Sequence, residues 1–234
     1  MILIFDLFET IVDNDTIDFN RGLKPLWEKH YSDKCMFEEI KTYGEELFEH
    51  LLKLHEEGRE FPFVKEELPL YAERFGGEVL TMSTEEEADF LMLCNDMEPA
   101  EGVPEMLKVF EQNGIPMYVL SNSGFTAAAL WEALNRMGIG KYFKNVWSSA
   151  DHGRVKPDKS IFEQAIEIAL KDNPAEVKED ILFIGDTYKT DITGAYNAGI
   201  RSVWINRKSE PDEKGYAAYT ISQTADLKKI VGYG

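Results

Sequence analysis

Cysteine is scarce in this chain: Cys35 and Cys94 stand far apart among 234 residues, with no C-x-x-C spacing. That count argues against a disulfide framework and a thiolate metal site, and the two are expected as buried thiols of a reducing cytoplasm. Histidine is scarce as well. His30, His50, His55 and His152 lack metal-ligand spacing and read as ordinary surface residues. No apolar run approaches the roughly 20 residues a transmembrane helix needs. Met1 opens directly on an apolar strand, so no signal peptide is expected in front of it. The third shortage is positive charge: 25 Lys and Arg against 43 Asp and Glu give a net charge of −18. Nucleic acid and anionic membrane surfaces are therefore poor partners, and any anionic substrate needs a local cation to receive it.

What is present is organised around the start, Met1-Ile-Leu-Ile-Phe-Asp6, with Thr10 four positions further on. An unbroken apolar run closed by a polar residue is the pattern of a strand buried on both faces, as in a parallel sheet. Asp6 then lies at the strand's carboxyl end, the edge at which open α/β sheets bind ligands. From Ile17 to about Asn95 the signals turn helical, with apolar positions near a 3.6 period, Gly76-Gly77 as a stop and Ser83 with Glu86 as a capped start. The Glu85–Glu87 run reads as a solvated helix face, and nothing in the block reads as a strand able to join a sheet. Beyond Pro99, helices alternate with apolar runs at Ile115–Leu120, Val146-Trp147, Ile181–Ile184 and Arg201–Asn206, the last taken as the final strand. Strands alternating with helices predict a doubly wound parallel sheet. Residues 1–14 and 99–234 form the expected α/β core, and residues 15–98 an inserted helical cap.

Strand ends and adjoining loops should bring Asp6, Ser121-Asn122, Lys156, Asp186 and Asp191 to one edge. Carboxylates about 4 Å apart repel by about 1 kcal/mol per pair in water and about 4 at an effective dielectric of 20, so three of them need a cation to coexist. Oxygen ligands with open positions suit Mg²⁺. A lysine and a serine beside them suit phosphoryl oxygens, and a carboxylate aimed at phosphorus can act as nucleophile. Plainer readings stand beside these: Ser121-Asn122 as a cap for the helix near Gly124, and Asp191 as a cap for its own helix.

The chain resembles the haloacid dehalogenase-type (HAD) hydrolases along nearly its whole length. Their first motif, D-x-D-x-T, is matched by Asp6 and Thr10; the second by Ser121; the third by Lys156 before Pro157; the fourth, G-D-x-x-x-x-D, by Gly185-Asp186 and Asp191. The resemblance implies a Mg²⁺-dependent phosphohydrolase or phosphotransferase acting on a small phosphorylated metabolite through an aspartyl-phosphate on Asp6. In it Asp6, Asp186 and the Phe8 carbonyl hold the metal and Asp191 supports it. Ser121, Asn122 and Lys156 bind the phosphoryl group, and Thr10 orients Asp6. The departure is Phe8, which stands where family phosphatases carry an acid/base aspartate. General acid–base catalysis contributes about 10² to 10⁴ in rate, so substrates with good leaving groups, acyl phosphates and phosphoanhydrides, are expected. Glu9, the obvious substitute, should face away from where Phe8 points, because neighbouring side chains on extended backbone alternate. An aromatic there also resembles the 2-haloacid dehalogenases, as does Trp204-Ile-Asn-Arg207, and a non-catalytic binding protein is the third reading. Asp186 discriminates, since dehalogenases carry a small polar residue at its position. Substrate and oligomeric state stay open, and Arg21, Trp27 and Tyr43 are cap side chains that could face the site.

Overall fold

The computed structural model describes residues 1–233. Strands β1 (Ile2–Phe5) and β2 (Val12–Ile17) precede helices α1 (Phe19–His30), α2 (Phe37–Glu56), α3 (Leu68–Phe75) and α4 (Thr84–Cys94). After β3 (Asn95–Pro99) come α5 (Val103–Gln112), β4 (Met117–Ser121), α6 (Ala127–Arg136), β5 (Phe143–Ser148), α7 (Ser149–His152) and α8 (Lys159–Asp172). The chain closes with β6 (Ile181–Gly185), α9 (Thr193–Ala198), β7 (Arg201–Ile205), β8 (Tyr219–Ile221) and α10 (Leu227–Val231). No helix among the described residues is long and apolar enough to cross a membrane.

Six strands run parallel in the order β5-β4-β1-β6-β7-β8. The period-2 alternation of side chains divides this sheet between two cores. Leu3, Phe5, Met117, Val119, Leu182 and Ile184 point into a cluster shared with α5 and α6, whereas Ile2, Ile4, Tyr118, Leu120, Ile181 and Phe183 meet α8 and α9 on the other face. Every residue of β1 is 0–1% exposed, which is why its run is unbroken rather than alternating. From β1 the winding goes out to β4 and β5, then back across to β6, β7 and β8, so the order reverses at β1. The crevice beyond the strands' carboxyl ends opens there.

Three strands were not legible in the sequence. β2 and β3 pair antiparallel, with Val12 opposite Pro99, so the helical segment α1–α4 leaves and returns through one ribbon. The Asp-Asn-Asp centre of β2 and the whole of Asn-Asp-Met-Glu-Pro lack β-formers, and their pairing, not their pattern, makes them strands. Arg201–Ile205 is not the final strand either: β8, three residues long, adds at the edge beside β7. The capped start at Ser83 is present as a capping box, with Glu86 N 3.2 Å from Ser83 Oγ and Ser83 N 3.0 Å from a Glu86 carboxylate oxygen.

The helical segment packs on the sheet unit through Phe63, Phe90 and Phe125, whose ring centroids lie 4.3 to 6.1 Å apart. Two buried glutamates add polar ties. Glu87, expected on a solvated face, is 4% exposed and accepts both the backbone N–H and the hydroxyl of Thr126 at 2.7 Å, closing the start of α6. Glu60 accepts from Phe61 N at 2.9 Å and from Ser149 Oγ, and meets His55 Nε2 at 2.7 Å. An acidic side chain aimed at a helix N-terminus is satisfied by its free N–H groups, which explains why Glu87 tolerates burial.

Candidate active site

Asp6 follows β1, and its N–H donates to Ile184 O of β6 at 2.8 Å, fixing it at the crevice. Its carboxylate is bound from two sides. Lys156 Nζ lies 2.5 Å from Oδ1, and Thr10 Oγ1 donates to Oδ2 at 3.3 Å. Lys156 also donates to Asp191 Oδ1 at 2.7 Å, and its ammonium sits 5.4 Å from the Phe183 ring centre. The two flanking acids and the lysine between them are all buried: Asp6 is 7% exposed, Lys156 3% and Asp191 1%.

Backbone geometry places these groups. Asn122, just after β4, donates its amide N–H to Lys156 O at 3.1 Å and accepts from Lys156 N at 2.7 Å, so it pins the lysine's main chain. Asn122 was expected at the phosphoryl group, and its amide instead spans the two loops. Ser121 is fully buried, with its hydroxyl donating to Asn122 O at 3.3 Å. Asp191 occupies a π-helical turn, Tyr188–Ile192, and accepts from Thr187 N at 3.0 Å. Gly185 is required by this turn, because a Cβ there would lie 2.5 Å from the Asp191 carboxylate. Asp186 accepts from Thr187 Oγ1 at 3.2 Å, while its carbonyl accepts the Trp204 indole N–H at 2.9 Å.

Charge is concentrated here. Burial, joined by Asp191 and Asp186, pushes the Asp6 carboxyl up to about 7 despite the pull of Lys156. Burial and then Asp191 push Asp186 up to about 6. Burial opposes the Lys156 charge, but Asp191 and Asp6 overcome it and hold the ammonium above the usual lysine range. Asp6, Asp186 and Asp191 each offer an oxygen, all within 4.8 Å of one another. An all-oxygen donor set of this size, strained by its own repulsion, fits a hard divalent cation.

Other residues were missed or misread. Thr224 Oγ1 donates to Thr10 O at 2.5 Å, and Arg207 Nη1 donates to Glu9 O at 2.7 Å; no local pattern announces either, because both arrive from the far end of the chain. The Glu9 carboxylate accepts from Asn14 N at 3.1 Å and is exposed. Phe8 is half-buried against the main apolar cluster. Arg21 pairs with Asp96 at 2.7 Å, Trp27 donates to Cys35 O at 2.9 Å, and Tyr43 packs edge-on against Tyr71 and Phe75. All three are thus engaged within the helical segment and its ribbon. Cys94 is buried and Cys35 half-buried, both free.

The sequence family described as haloacid dehalogenase-like hydrolase matches residues 1–199. The chain belongs to it. Among HAD relatives, the pyrimidine 5'-nucleotidase YjjG of Escherichia coli K12 is 31% identical over 134 residues, 57% of this chain and 56% of that protein. The chain spans about half the length of the curated relatives it matches. Two solved structures share the HAD fold over nearly all of both chains. The 2-haloacid dehalogenase of Pseudomonas syringae pv. Tomato DC3000 gives a TM-score of 0.69 at 20% identity, covering 99% of each chain. The magnesium-bound YfnB of Bacillus subtilis, whose structure is described as revealing interdomain movement, gives 0.61 at 23%, covering 98% of this chain and 97% of the other.

Proposed function

We propose that this HAD hydrolase is a Mg²⁺-dependent phosphohydrolase of small phosphorylated metabolites, using Asp6 as nucleophile. The observation that carries the reading is the convergence of Asp186 and Asp191 with Asp6 around one lysine. Displacement of halide at carbon needs no metal, and a bare Asp186 carboxylate beside Asp6 would repel an anionic haloacid. The nucleotidase and magnesium-bound relatives point the same way. Residues 15–98 act as a cap over the crevice, and the free thiols suit a cytoplasmic setting.

Mg²⁺, when bound, would neutralise phosphoryl oxygens and let the carboxylates coexist; Asp6, Asp186 and the Phe8 carbonyl would hold it, with Asp191 in support. An Asp6 oxygen attacks phosphorus, the P–O bond to the leaving group breaks, and water then attacks the phosphorus of the aspartyl-phosphate, freeing inorganic phosphate and restoring Asp6. Lys156 pulls Asp6 toward its ionised form against burial and receives phosphoryl oxygens together with Ser121. Thr10 holds the second Asp6 oxygen and Lys156 the first, so the carboxylate's orientation is set before attack. Phe8 supplies no proton, so substrates whose leaving group departs unprotonated, acyl phosphates foremost, are preferred. Turnover of acetyl phosphate should require Mg²⁺ and vanish in Asp6→Asn; turnover undiminished by a chelator would defeat the proposal.

A dehalogenase is the second reading, favoured by the aromatic Phe8. It requires halide release from 2-chloropropionate in the presence of a chelator, and we expect none.

A further inference from the structure

Glu9, three residues after the proposed nucleophile, has a φ of +54°, left-handed backbone in a residue that is not glycine. Such a conformation persists when its surroundings over-determine it. Here every polar group of Glu9 is held: its N–H donates to Val12 O at 2.8 Å, its carboxylate accepts from Asn14 N at 3.1 Å, and its carbonyl accepts from Arg207 at 2.7 Å. The first two partners belong to the same turn. Arg207 alone comes from elsewhere, from just beyond β7, and its second nitrogen lies 3.9 Å from Asp13 Oδ1, on the far side of the turn. The turn so gripped contains Thr10, whose hydroxyl sets the Asp6 carboxylate.

We propose that Arg207 is a positioning residue for the reaction: it clamps the strained Glu9 turn and thereby sets Thr10 and Asp6 in register. The proposal rests on the phosphohydrolase reading for its kinetic part only. Arg207 also lines a cleft of about 420 Å³ with Asp186, Tyr188 and Trp204, so an arginine that reads substrate is the rival it must be separated from. A clamp acts on the chemical step, whereas a substrate contact made equally in ground and transition states acts on KM.

The test uses four proteins, wild type, Arg207→Gln, Glu9→Gly and the double variant, with Arg207→Lys as a fifth for rescue. With acetyl phosphate and Mg²⁺, Arg207→Gln should lower kcat by about 10- to 100-fold with KM nearly unchanged, since misplacing a reacting group by about 1 Å can have a 100-fold effect. Glycine adopts the left-handed turn freely, so Glu9→Gly should restore most of that loss in the double variant, and Arg207→Lys should restore part. A rise in KM at constant kcat, or additive losses in the double variant, would overturn the proposal. Urea midpoints of the same four proteins should show the same non-additivity. That readout needs no turnover, so absence of phosphatase activity in the wild type would refute the function while the clamp stands or falls on the midpoints.

Discussion

Lys156 and Asp6 meet with an ammonium nitrogen 2.5 Å from a carboxylate oxygen, both nearly sealed from water, and the same nitrogen serves Asp191 at 2.7 Å. One cation therefore balances two buried acids, with Asp186 beside them. The arrangement is electrostatically short of positive charge, and its consequences can be measured.

Removing the cation should be costly. Lys156→Met leaves Asp6 and Asp191 buried without a counter-charge, and breaking such a pair destabilises by about 3–5 kcal/mol. Urea unfolding in a chelator should show a loss of that order, and added Mg²⁺ should return part of it by binding only the folded state. A loss well under about 1 kcal/mol, the level of a surface pair, would mean that water reaches the cluster.

The metal-free protein should lose stability as pH rises. Asp6 and Asp186 are pushed up to about 7 and about 6 from an ordinary 3.8, first of all by burial. Folding therefore favours their protonated forms: the contribution is complete below 3.8, shrinks as pH climbs, and is gone above about 7. The urea midpoint in a chelator should fall between about pH 4 and about pH 7 from this contribution, Asp6→Asn should reduce the slope, and Mg²⁺ should flatten it by favouring the ionised carboxylates. An unchanged slope in Asp6→Asn would contradict the assignment.

Restoring an acid should broaden the substrate range. Phe8→Asp should raise kcat for ordinary phosphomonoesters by up to about 10²–10⁴, the usual range of general acid–base catalysis, with far less effect on acetyl phosphate. Equal effects on both substrates would show that leaving-group protonation is not what Phe8 limits.

The ties between the helical segment and the sheet should bear on folding. Glu87→Ala leaves the Thr126 N–H and hydroxyl without their partner and should destabilise by about 1–3 kcal/mol, read from urea midpoints. No change would mean that water replaces the carboxylate at α6.

The parallel sheet was legible because its strands are buried on both faces, which writes runs such as Ile2–Phe5 and Ile181–Ile184 into the sequence as unbroken apolar blocks. The residues at their ends were legible for the same reason: Asp6 and Asp186 interrupt those blocks. β2 and β3 were not, since their polar centres owe their form to a partner distant in sequence, and β8 was not because it spans only three residues. Glu87 was misread because a run of three glutamates at a helix start looks like any solvated first turn, and only the packing of α4 beside α6 turns one of them inward. Thr224 and Arg207 reach the Glu9–Thr10 turn from more than 190 positions away, a relationship that no local periodicity can carry.

The ribbon of β2 and β3 has a consequence for how this protein can be altered. Because the chain departs and returns side by side, with Val12 facing Pro99, the helices between them are joined covalently to the sheet unit through one two-stranded stalk. A segment of different length or shape could be grafted at that stalk without breaking the order of the six-stranded sheet, provided it presents something to shelter Phe125 and cap Thr126. On the proposed function, exchange of that segment should alter substrate range while leaving the Asp6–Lys156–Asp191 cluster in place.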